Sequence, residues 1–270
     1  MSFSIDRGKI AAAVIAISMV LLPGPVRAVA AELINIQFQS SSQGVPAYTG
    51  GAVIGGAGDQ WNQLTSANAT IALSNSTGSG SSTGATLSWS GSGLFAGYNN
   101  SYTNSFGGGT YDALMNSYLY LLGGTTEVPQ VAQTISFNHL AGNTTYDLYI
   151  YTEGAGDAVG RNLSININGN TITTNHASLS NVGTFVQGEN YLKVTGTTDS
   201  NGYLSLTYSG VGTGNTGGKP GEADINGIQL MQPSGSVPEP STVVLLGIGG
   251  MIVAFRFKSR SLSLIGETES

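Results

Sequence analysis

Short runs in which apolar and polar residues alternate recur along the middle of this 270-residue chain, separated by turns rich in Gly, Asn and Ser. In Leu33–Phe38, the apolar residues Ile34, Ile36 and Phe38 occupy every second position. Side chains of a β-strand point alternately to its two faces, so this spacing gives the strand one fully apolar face. About eleven such runs predict an all-β fold, either a β-sandwich (jelly roll) or, as the alternative, a barrel.

The other predicted strands follow the same pattern of alternation. They are residues 70–73, 85–89, 117–121, 133–137, 145–151, 163–167, 171–174, 190–194, 203–208 and 225–231. Asn168-Gly169 and Asn201-Gly202 predict β-hairpins, because a two-residue hairpin turn requires positive φ. Core positions are predicted for Trp89 and for the face formed by Tyr146, Leu148 and Ile150.

Three stretches are not strand-like. Residues 111–116 predict one short helical turn. The Ser, Gly and Thr run at 74–84 predicts a flexible segment, and residues 91–111 predict either a long functional loop or irregular edge strands.

Charge is scarce in the middle of the chain. Charged residues make up 9% of the sequence, and the interval 32–236 holds eleven acidic and three basic residues, a formal net charge of −8. So few cations cannot neutralise a run of phosphates, and we therefore expect no nucleic-acid binding. The chain has no cysteine, which excludes disulfides, thiolate metal sites and cysteine nucleophiles. With 40% hydrophobic residues, the composition favours an ordered β domain over a disordered chain.

The first 30 residues are typical of a secretory signal peptide. A basic start, Arg7 and Lys9, is followed by an apolar core at 10–22 and by Pro23-Gly24-Pro25. Small residues then mark the cleavage region. They are Ala28, Ala30 and Ala31, with cleavage expected after Ala30 or, as second choice, after Ala31. Signal peptidase is therefore an expected partner during export.

The C-terminal region combines three signals in a fixed order. Pro238-Glu239-Pro240 is extended because neither proline donates a backbone hydrogen bond. An uncharged apolar run follows at residues 242–255. The segment 242–257 could form a helix of roughly 24 Å, which spans a thin bilayer. Basic residues then hold that end on the cytoplasmic side. They are Arg256, Lys258 and Arg260.

This order resembles the PEP-CTERM sorting signal of Gram-negative bacteria, from about Val237 to Arg260. The resemblance implies that Pro238-Glu239-Pro240 is recognised by an exosortase at the outer face of the inner membrane, and that the basic residues stop transfer. This chain departs from the family at residues 261–270, because members of the family usually end within a few residues of the basic cluster. An ordinary C-terminal membrane helix behind a proline-rich linker is the alternative.

Residues 141–151 and 222–230 are similar to strands of galactose-binding-like β-sandwich modules. That resemblance implies glycan binding and a structural calcium as options. The repeated sequence Gly-Ala-Gly-Asp, at 56–59 and 154–157, also suits calcium, which takes oxygen ligands from carboxylates and loops. The candidate ligands are Asp59, Asp157, Glu222 and Asp224. Ordinary Gly-Asp turns are the alternative.

Aromatic residues in polar, Gly-rich contexts are candidates for sugar binding, because sugars present C–H faces that lie on aromatic rings. They are Trp61, Tyr98, Tyr102 and Tyr111. A neutral polysaccharide fits the acidic interval better than a polyanion, which it would repel.

Catalysis has little support in the sequence. His139 and His176 lie in turn-like and polar contexts, so structural or surface positions are expected for both. Residues 80–84 match the Gly-x-Ser-x-Gly nucleophile pattern, but composition explains a match within a Ser- and Gly-rich run.

We therefore predict an exported, non-enzymatic protein, anchored transiently in the inner membrane and then located at the cell surface or in the extracellular matrix. Its expected role is structural or adhesive, with weak glycan binding. A secreted polysaccharide lyase or glycoside hydrolase and a purely structural matrix protein are the alternatives. The predicted organisation is a signal peptide (1–30), a β-sandwich domain (31–231), a linker (232–241), a transmembrane sorting helix (242–257) and a cytoplasmic tail (258–270).

Overall fold

Strands are the main regular structure in the part of the chain that the structure describes. The computed structural model describes residues 32–40, 44–96, 106–122, 131–154, 162–175, 183–211 and 221–232. Its strands are β1 (Leu33–Phe38), β2 (Asn62–Leu64), β3 (Ala69–Ala72), β4 (Thr86–Trp89), β5 (Gly93–Ala96), β6 (Ser117–Leu121), β7 (Gln133–Asn138), β8 (Thr145–Tyr151), β9 (Asn162–Ile167), β10 (Asn170–Thr173), β11 (Tyr191–Thr197), β12 (Leu204–Val211), β13 (Ala223–Ile225) and β14 (Gly227–Met231). A short helix, α1 (Asp112–Met115), precedes β6.

The strands form two large sheets and a small one. The five-stranded sheet has the order β11-β8-β14-β1-β2, and the six-stranded sheet has the order β10-β9-β12-β7-β4-β3. A three-stranded sheet has the order β13-β6-β5. β1 pairs with β14 antiparallel and with β2 parallel.

One hydrophobic core joins the two large sheets. Ile34 and Ile36 of β1 belong to the same buried cluster as Leu87 of β4 and Ile165 of β9. These residues alternate with polar ones along their strands, so each sheet turns one apolar face inward. The all-β prediction is therefore confirmed, in the form of two packed sheets. The predicted core positions are confirmed as well. They are Trp89, Tyr146, Leu148 and Ile150, all buried.

One of the two predicted hairpins is confirmed. Asn168 and Gly169 have φ of 49° and 82° and connect β9 directly to its antiparallel partner β10. The other prediction is wrong, because Asn201-Gly202 connects β11 to β12, and these strands lie in different sheets. Position 202 still requires glycine, because its φ of 77° is positive and because a Cβ there would lie 2.0 Å from the Leu140 carbonyl oxygen. The same turn chemistry therefore serves as a crossover between sheets.

The predicted strand at 225–231 is interrupted. Ile225 ends β13 in the three-stranded sheet, Asn226 lies between the strands, and Gly227 begins β14 in the five-stranded sheet. β2 was missed by the sequence prediction, because it has only three residues and weak alternation. β5 lies within 91–111, where edge strands were one of two predicted alternatives, while residues 97–105 lie outside the described residues.

The Ser- and Gly-rich run at 74–84, predicted to be flexible, forms a hydrogen-bonded turn between β3 and β4. Ser74 and Gly80 form an isolated antiparallel bridge. The Ser82 hydroxyl donates to a carboxylate oxygen of Glu32 at 2.8 Å, and the Ser82 amide donates to the other at 2.8 Å. The run is followed by a strand rather than a helix, so it lacks the strand–turn–helix context of a nucleophile elbow.

The fourteen strands and the short helix belong to one compact unit, Ala31–Pro233. Across the residues described here, no helix has the length and apolar character needed to cross a bilayer. The predicted signal peptide and the predicted sorting helix lie outside the described residues.

Candidate functional site: an aromatic and amide layer on the five-stranded sheet

The outward face of the five-stranded sheet is covered rather than open to water. Two rows of residues cross it in register. The first is Asn35, Gln229, Tyr149 and Lys193, and the second is Gln37, Gly227, Tyr151 and Tyr191. Asn35, Gln37 and Gln229 are completely buried. Buried amides are costly unless they are hydrogen-bonded, so this face must supply partners for them.

The loop at 50–60 supplies many of those partners. Gln229 Nε2 donates to Asn35 Oδ1 at 2.8 Å and to the Ile54 carbonyl at 3.1 Å. The Tyr151 hydroxyl donates to Gln229 Oε1 and accepts from the Val53 amide at 3.0 Å. Asn35, Gln229 and Tyr151 therefore hold this loop against the sheet.

Gln37 holds two further segments in the same way. Its Oε1 accepts from the Tyr48 amide at 2.9 Å, and its Nε2 donates to the Ala113 carbonyl in α1 at 2.7 Å. Gly227 leaves room between Gln37 and Tyr151 on the sheet. A Cβ there would lie 3.2 Å from the Trp61 ring, 3.1 Å from Leu114 and 2.6 Å from the Ile36 carbonyl oxygen.

Aromatic rings pack over the amides, and we name this group the aromatic layer. Its members are Tyr48, Trp61, Phe106, Tyr111, Tyr149, Tyr151, Phe185 and Tyr191. Tyr48 packs edge-on against Trp61 with centroids 5.4 Å apart, and it also lies 6.3 Å from Tyr111. Phe185 lies 4.6 Å from Tyr111 and 5.0 Å from Tyr151. Such pairs add to the stabilisation that ring burial provides.

Two of the predicted sugar-binding aromatics thus lie in one cluster. Trp61 is only 7% exposed and donates its indole N–H to the Gly50 carbonyl at 2.8 Å, so its ring is a packing element of the layer. Tyr111 is half-buried and forms the accessible rim together with Phe185 and Tyr191. The other two candidates, Tyr98 and Tyr102, lie outside the described residues.

The buried phenols of Tyr48 and Tyr151 are neutral at ordinary pH. Burial raises the pKa of Tyr48 to about 12. Burial also raises the pKa of Tyr151 well above its usual value, although the hydrogen bond from the Val53 amide lowers it in part. The layer therefore offers apolar ring surface without a negative charge from these phenols.

A cation lies at one edge of the rim. Lys193 Nζ contacts the Asp147 carboxylate at 2.9 Å and lies 5.4 Å from the centroid of the Tyr149 ring. Tyr149 in turn stacks on Tyr191, with centroids 6.5 Å apart. The hydrogen bond to Asp147 raises the pKa of Lys193. Lys193 is exposed and Asp147 is partly exposed, so the pair positions the Tyr149 edge more than it stabilises the fold.

Sequence reasoning missed Asn226. Its Nδ2 donates to the carbonyls of Met115 (2.5 Å), Ser117 (3.2 Å) and Glu153 (3.0 Å), and its Oδ1 accepts from the Glu153 amide at 2.6 Å. Asn226 therefore links α1 and β6 to the end of β8. The two side-chain amides inside the run 225–231, Asn226 and Gln229, were the available signal.

The candidate calcium ligands do not form a cluster in the described part of the chain. Asp59 Oδ2 accepts from the Gly56 amide at 2.9 Å, as expected for a Gly-Asp turn. Glu222 and Asp224 belong to the segment containing β13, and Asp157 lies outside the described residues. No group of three His, Asp or Glu side chains converges among the residues described. The calcium site remains a prediction from sequence.

The remaining predicted site residues are placed as follows. His139 is exposed in the turn after β7 with φ of 58°, a turn position as expected. His176, the cleavage-region alanines 28, 30 and 31, the Pro-Glu-Pro motif and the three basic residues near the C-terminus lie outside the described residues.

The comparison with protein families identifies the C-terminal segment. Residues 236–260 match the PEP-CTERM protein-sorting motif. The chain therefore carries a PEP-CTERM sorting motif, which confirms the resemblance predicted for Val237 to Arg260. The motif implies recognition by an exosortase and export with a C-terminal sorting signal in the membrane. No curated protein matches the chain.

Solved structures give distant similarities to the ordered domain. The ANX2 ectodomain from Arabidopsis thaliana is 11% identical with a TM-score of 0.38, and the match covers 74% of this chain and 49% of that one. An isomalto-dextranase from Arthrobacter globiformis is 13% identical with a TM-score of 0.28, covering 61% and 23%. An exo-β-1,3-galactanase from Phanerochaete chrysosporium is 17% identical with a TM-score of 0.24, covering 51% and 26%. The matched part of this chain spans about half the length of the ANX2 ectodomain and about a quarter of the length of each of the other two proteins. At these identities no function transfers to it.

Proposed function

We propose that this chain is a cell-surface or extracellular-matrix protein that is sorted by an exosortase and has a structural or adhesive role. The PEP-CTERM motif at 236–260 is the observation that carries the proposal. The exosortase acts at Pro238-Glu239-Pro240 while the following apolar segment lies in the inner membrane. Release of that segment then leaves the β-sandwich domain outside the cell.

Mutation of the Pro-Glu-Pro motif tests the sorting step. Replacing Pro238, Glu239 and Pro240 by alanine should leave the protein in the inner-membrane fraction at its unprocessed size, because the recognition mark is lost. Cell fractionation and mass measurement of the C-terminus provide the readout. Alanine replacement of residues 233–235 is the matched control and should leave processing intact. A triple variant that is released like the wild type would refute this step.

Weak binding of neutral glycans through the rim of the aromatic layer is the second part of the proposal. Tyr111, Phe185 and Tyr191 are partly exposed rings that pack against the buried part of the aromatic layer. Such rings can stack on the C–H faces of sugars while nearby polar groups bind hydroxyls. The interval 32–236 has a net charge of −8, and Lys193 is paired with Asp147, so a neutral polymer is favoured over an anionic one.

A glycan array probed with a multivalent form of the exported protein tests the rim. We expect neutral polysaccharides to bind and Tyr111→Ala to weaken binding about fivefold, since one aromatic contact contributes on the order of 1 kcal/mol. Val131→Ala is the control, because Val131 is 74% exposed and is not part of the aromatic layer.

The same array separates the proposal from its two rivals. Turnover of a bound polysaccharide would favour a polysaccharide lyase or glycoside hydrolase. Absence of any binding would favour a purely structural matrix protein. Preference for sulfated or uronic polymers without calcium would contradict the electrostatic argument.

A further inference from the structure

The outward face of the six-stranded sheet is made almost entirely of hydroxyl and amide side chains. In its four inner strands, β9, β12, β7 and β4, the residues that alternate with the core residues are Ser, Thr or Asn, except Val211. None of the six strands contains a charged residue. We name this surface the hydroxyl face.

The strand register aligns these side chains in rows across the sheet. One row runs through Thr70, Ser88, Ser136 and Ser205, which belong to β3, β4, β7 and β12. Neighbouring strands lie about 4.8 Å apart, so hydroxyl groups recur at about that spacing along the row.

A second row runs in the same direction. It passes through Thr134, Thr207, Asn166 and Thr171, from β7 to β10. The hydroxyl face is therefore a two-dimensional array rather than a single polar patch.

The fold itself does not require this composition. Asn is depleted in strands, and a solvated sheet face can carry charged side chains as well as uncharged ones without cost to the core. Internal hydrogen bonds leave the array open to further contacts. Thr70 and Ser88 are 2.8 Å apart, and Ser136 and Ser205 are 3.2 Å apart. Each hydroxyl has one donor and two acceptor positions, so such pairs retain capacity toward the solvent side.

An exposed aromatic ring borders the array. Tyr203, just before β12, is 43% exposed, and its hydroxyl lies 3.1 Å from Ser136 Oγ. A ring beside rows of hydroxyls is the combination that a sugar polymer requires, since the ring takes a C–H face and the hydroxyls take the polar groups.

We propose that the hydroxyl face is a second contact surface for a neutral polysaccharide, which lies across the strands. The six strands carry no cations, which an anionic polymer or a lipid headgroup would require. Apart from Val211 at the end of β12, the outward side chains of the inner strands also lack the Met, Arg and large apolar groups that enrich the centres of protein interfaces. A polymer with many uncharged donors and acceptors matches the array.

This inference extends the proposed glycan function by adding a surface on the opposite side of the sandwich. The rim of the aromatic layer lies on the outward face of the five-stranded sheet, whereas the hydroxyl face belongs to the other sheet. A domain with contact surfaces on both sides can bridge two polymer chains, and weak contacts become effective when many copies meet a repeating polymer.

Isosteric removal of hydroxyls tests the proposal on the exported protein. The double variant Thr134→Val/Thr207→Val keeps β-branched strand formers and removes two hydroxyls from one row. Retention on amorphous cellulose, used as the neutral probe, should fall about fivefold, as should retention of Tyr203→Ala. Thr197→Val is the matched control, since Thr197 is an exposed strand threonine in the other sheet. It should bind like the wild type.

Bridging separates this surface from the rim. The wild type should cross-link soluble neutral β-glucan and raise the turbidity of the solution. Tyr111→Ala and the double variant should each still bind the polymer through the surface that remains, but neither should cross-link it. If the double variant is retained and cross-links like the wild type, while Tyr111→Ala loses both properties, the role of the hydroxyl face is overturned and the proposed function stands. No retention of the wild type would overturn both. Sedimentation of the protein without polymer, abolished in the double variant, would instead identify a second copy of the chain as the occupant.

Discussion

At the scale of single residues, the side chain of Asn226 joins segments far apart in sequence. Its amide contacts backbone groups of Met115, Ser117 and Glu153 and is completely buried. Asn226→Ala should lower the free energy of unfolding by about 3 kcal/mol, because several buried backbone groups lose their partner at once. Urea denaturation followed by fluorescence measures the change.

An exposed asparagine serves as the control for this substitution. Asn170→Ala, at the start of edge strand β10, should change the free energy of unfolding by less than about 0.5 kcal/mol. Equal effects of the two substitutions would show that the Asn226 contacts do not contribute to stability as argued.

At the scale of elements, the hairpin of β9 and β10 depends on backbone conformation rather than on space. Gly169 has φ of 82°, and a Cβ added there would meet nothing within 4 Å. Gly169→Ala should therefore lower the free energy of unfolding by about 1 kcal/mol through left-handed backbone strain alone. Thermal unfolding monitored by circular dichroism measures the effect.

A second turn glycine isolates the backbone contribution. Gly80 also has open space around its Cβ position, but its φ is not positive. Gly80→Ala should be neutral or slightly stabilising, because alanine restricts the unfolded chain. A loss of stability as large as that of Gly169→Ala would contradict the conformational explanation.

At the scale of the whole molecule, buried tyrosines make the domain sensitive to alkali. Burial raises the pKa of Tyr48 to about 12 and also raises the pKa values of Tyr151 and Tyr208. Below pH 10 these phenols are protonated in both the folded and the unfolded state. Above pH 10 the unfolded state releases protons that the folded state retains, so the free energy of unfolding falls with rising pH.

Chemical denaturation from pH 8 to pH 12 measures this loss. Each of the three tyrosines contributes up to about 1.4 kcal/mol per pH unit within this window. Tyr203→Phe is the control, because hydrogen bonds from Ser136 and Ser205 lower the pKa of Tyr203, so its removal should not flatten the decline. A free energy of unfolding that stays constant up to pH 12 would show that the buried phenols do not make the domain sensitive to alkali.

The sequence alone determined the features that depend on local patterns. Period-two alternation in Leu33–Phe38 specified an all-β fold, because it fixes which residues share a face of a strand. Asn168-Gly169 specified a hairpin, since positive φ is a local requirement. The PEP-CTERM motif is likewise a linear signal, read in order along residues 236–260.

Only the tertiary structure decided what covers each face. Trp61 lies in a polar, Gly-rich stretch, yet its ring is buried because Tyr48 and the 50–60 loop pack over the same sheet. Asn201-Gly202 has the sequence of a hairpin turn, but its two strands pair with different neighbours. Alternation states which side chains lie on the same side of a strand. The neighbours of that strand and the loops above it come from distant parts of the chain, so burial and pairing are fixed only when the chain folds.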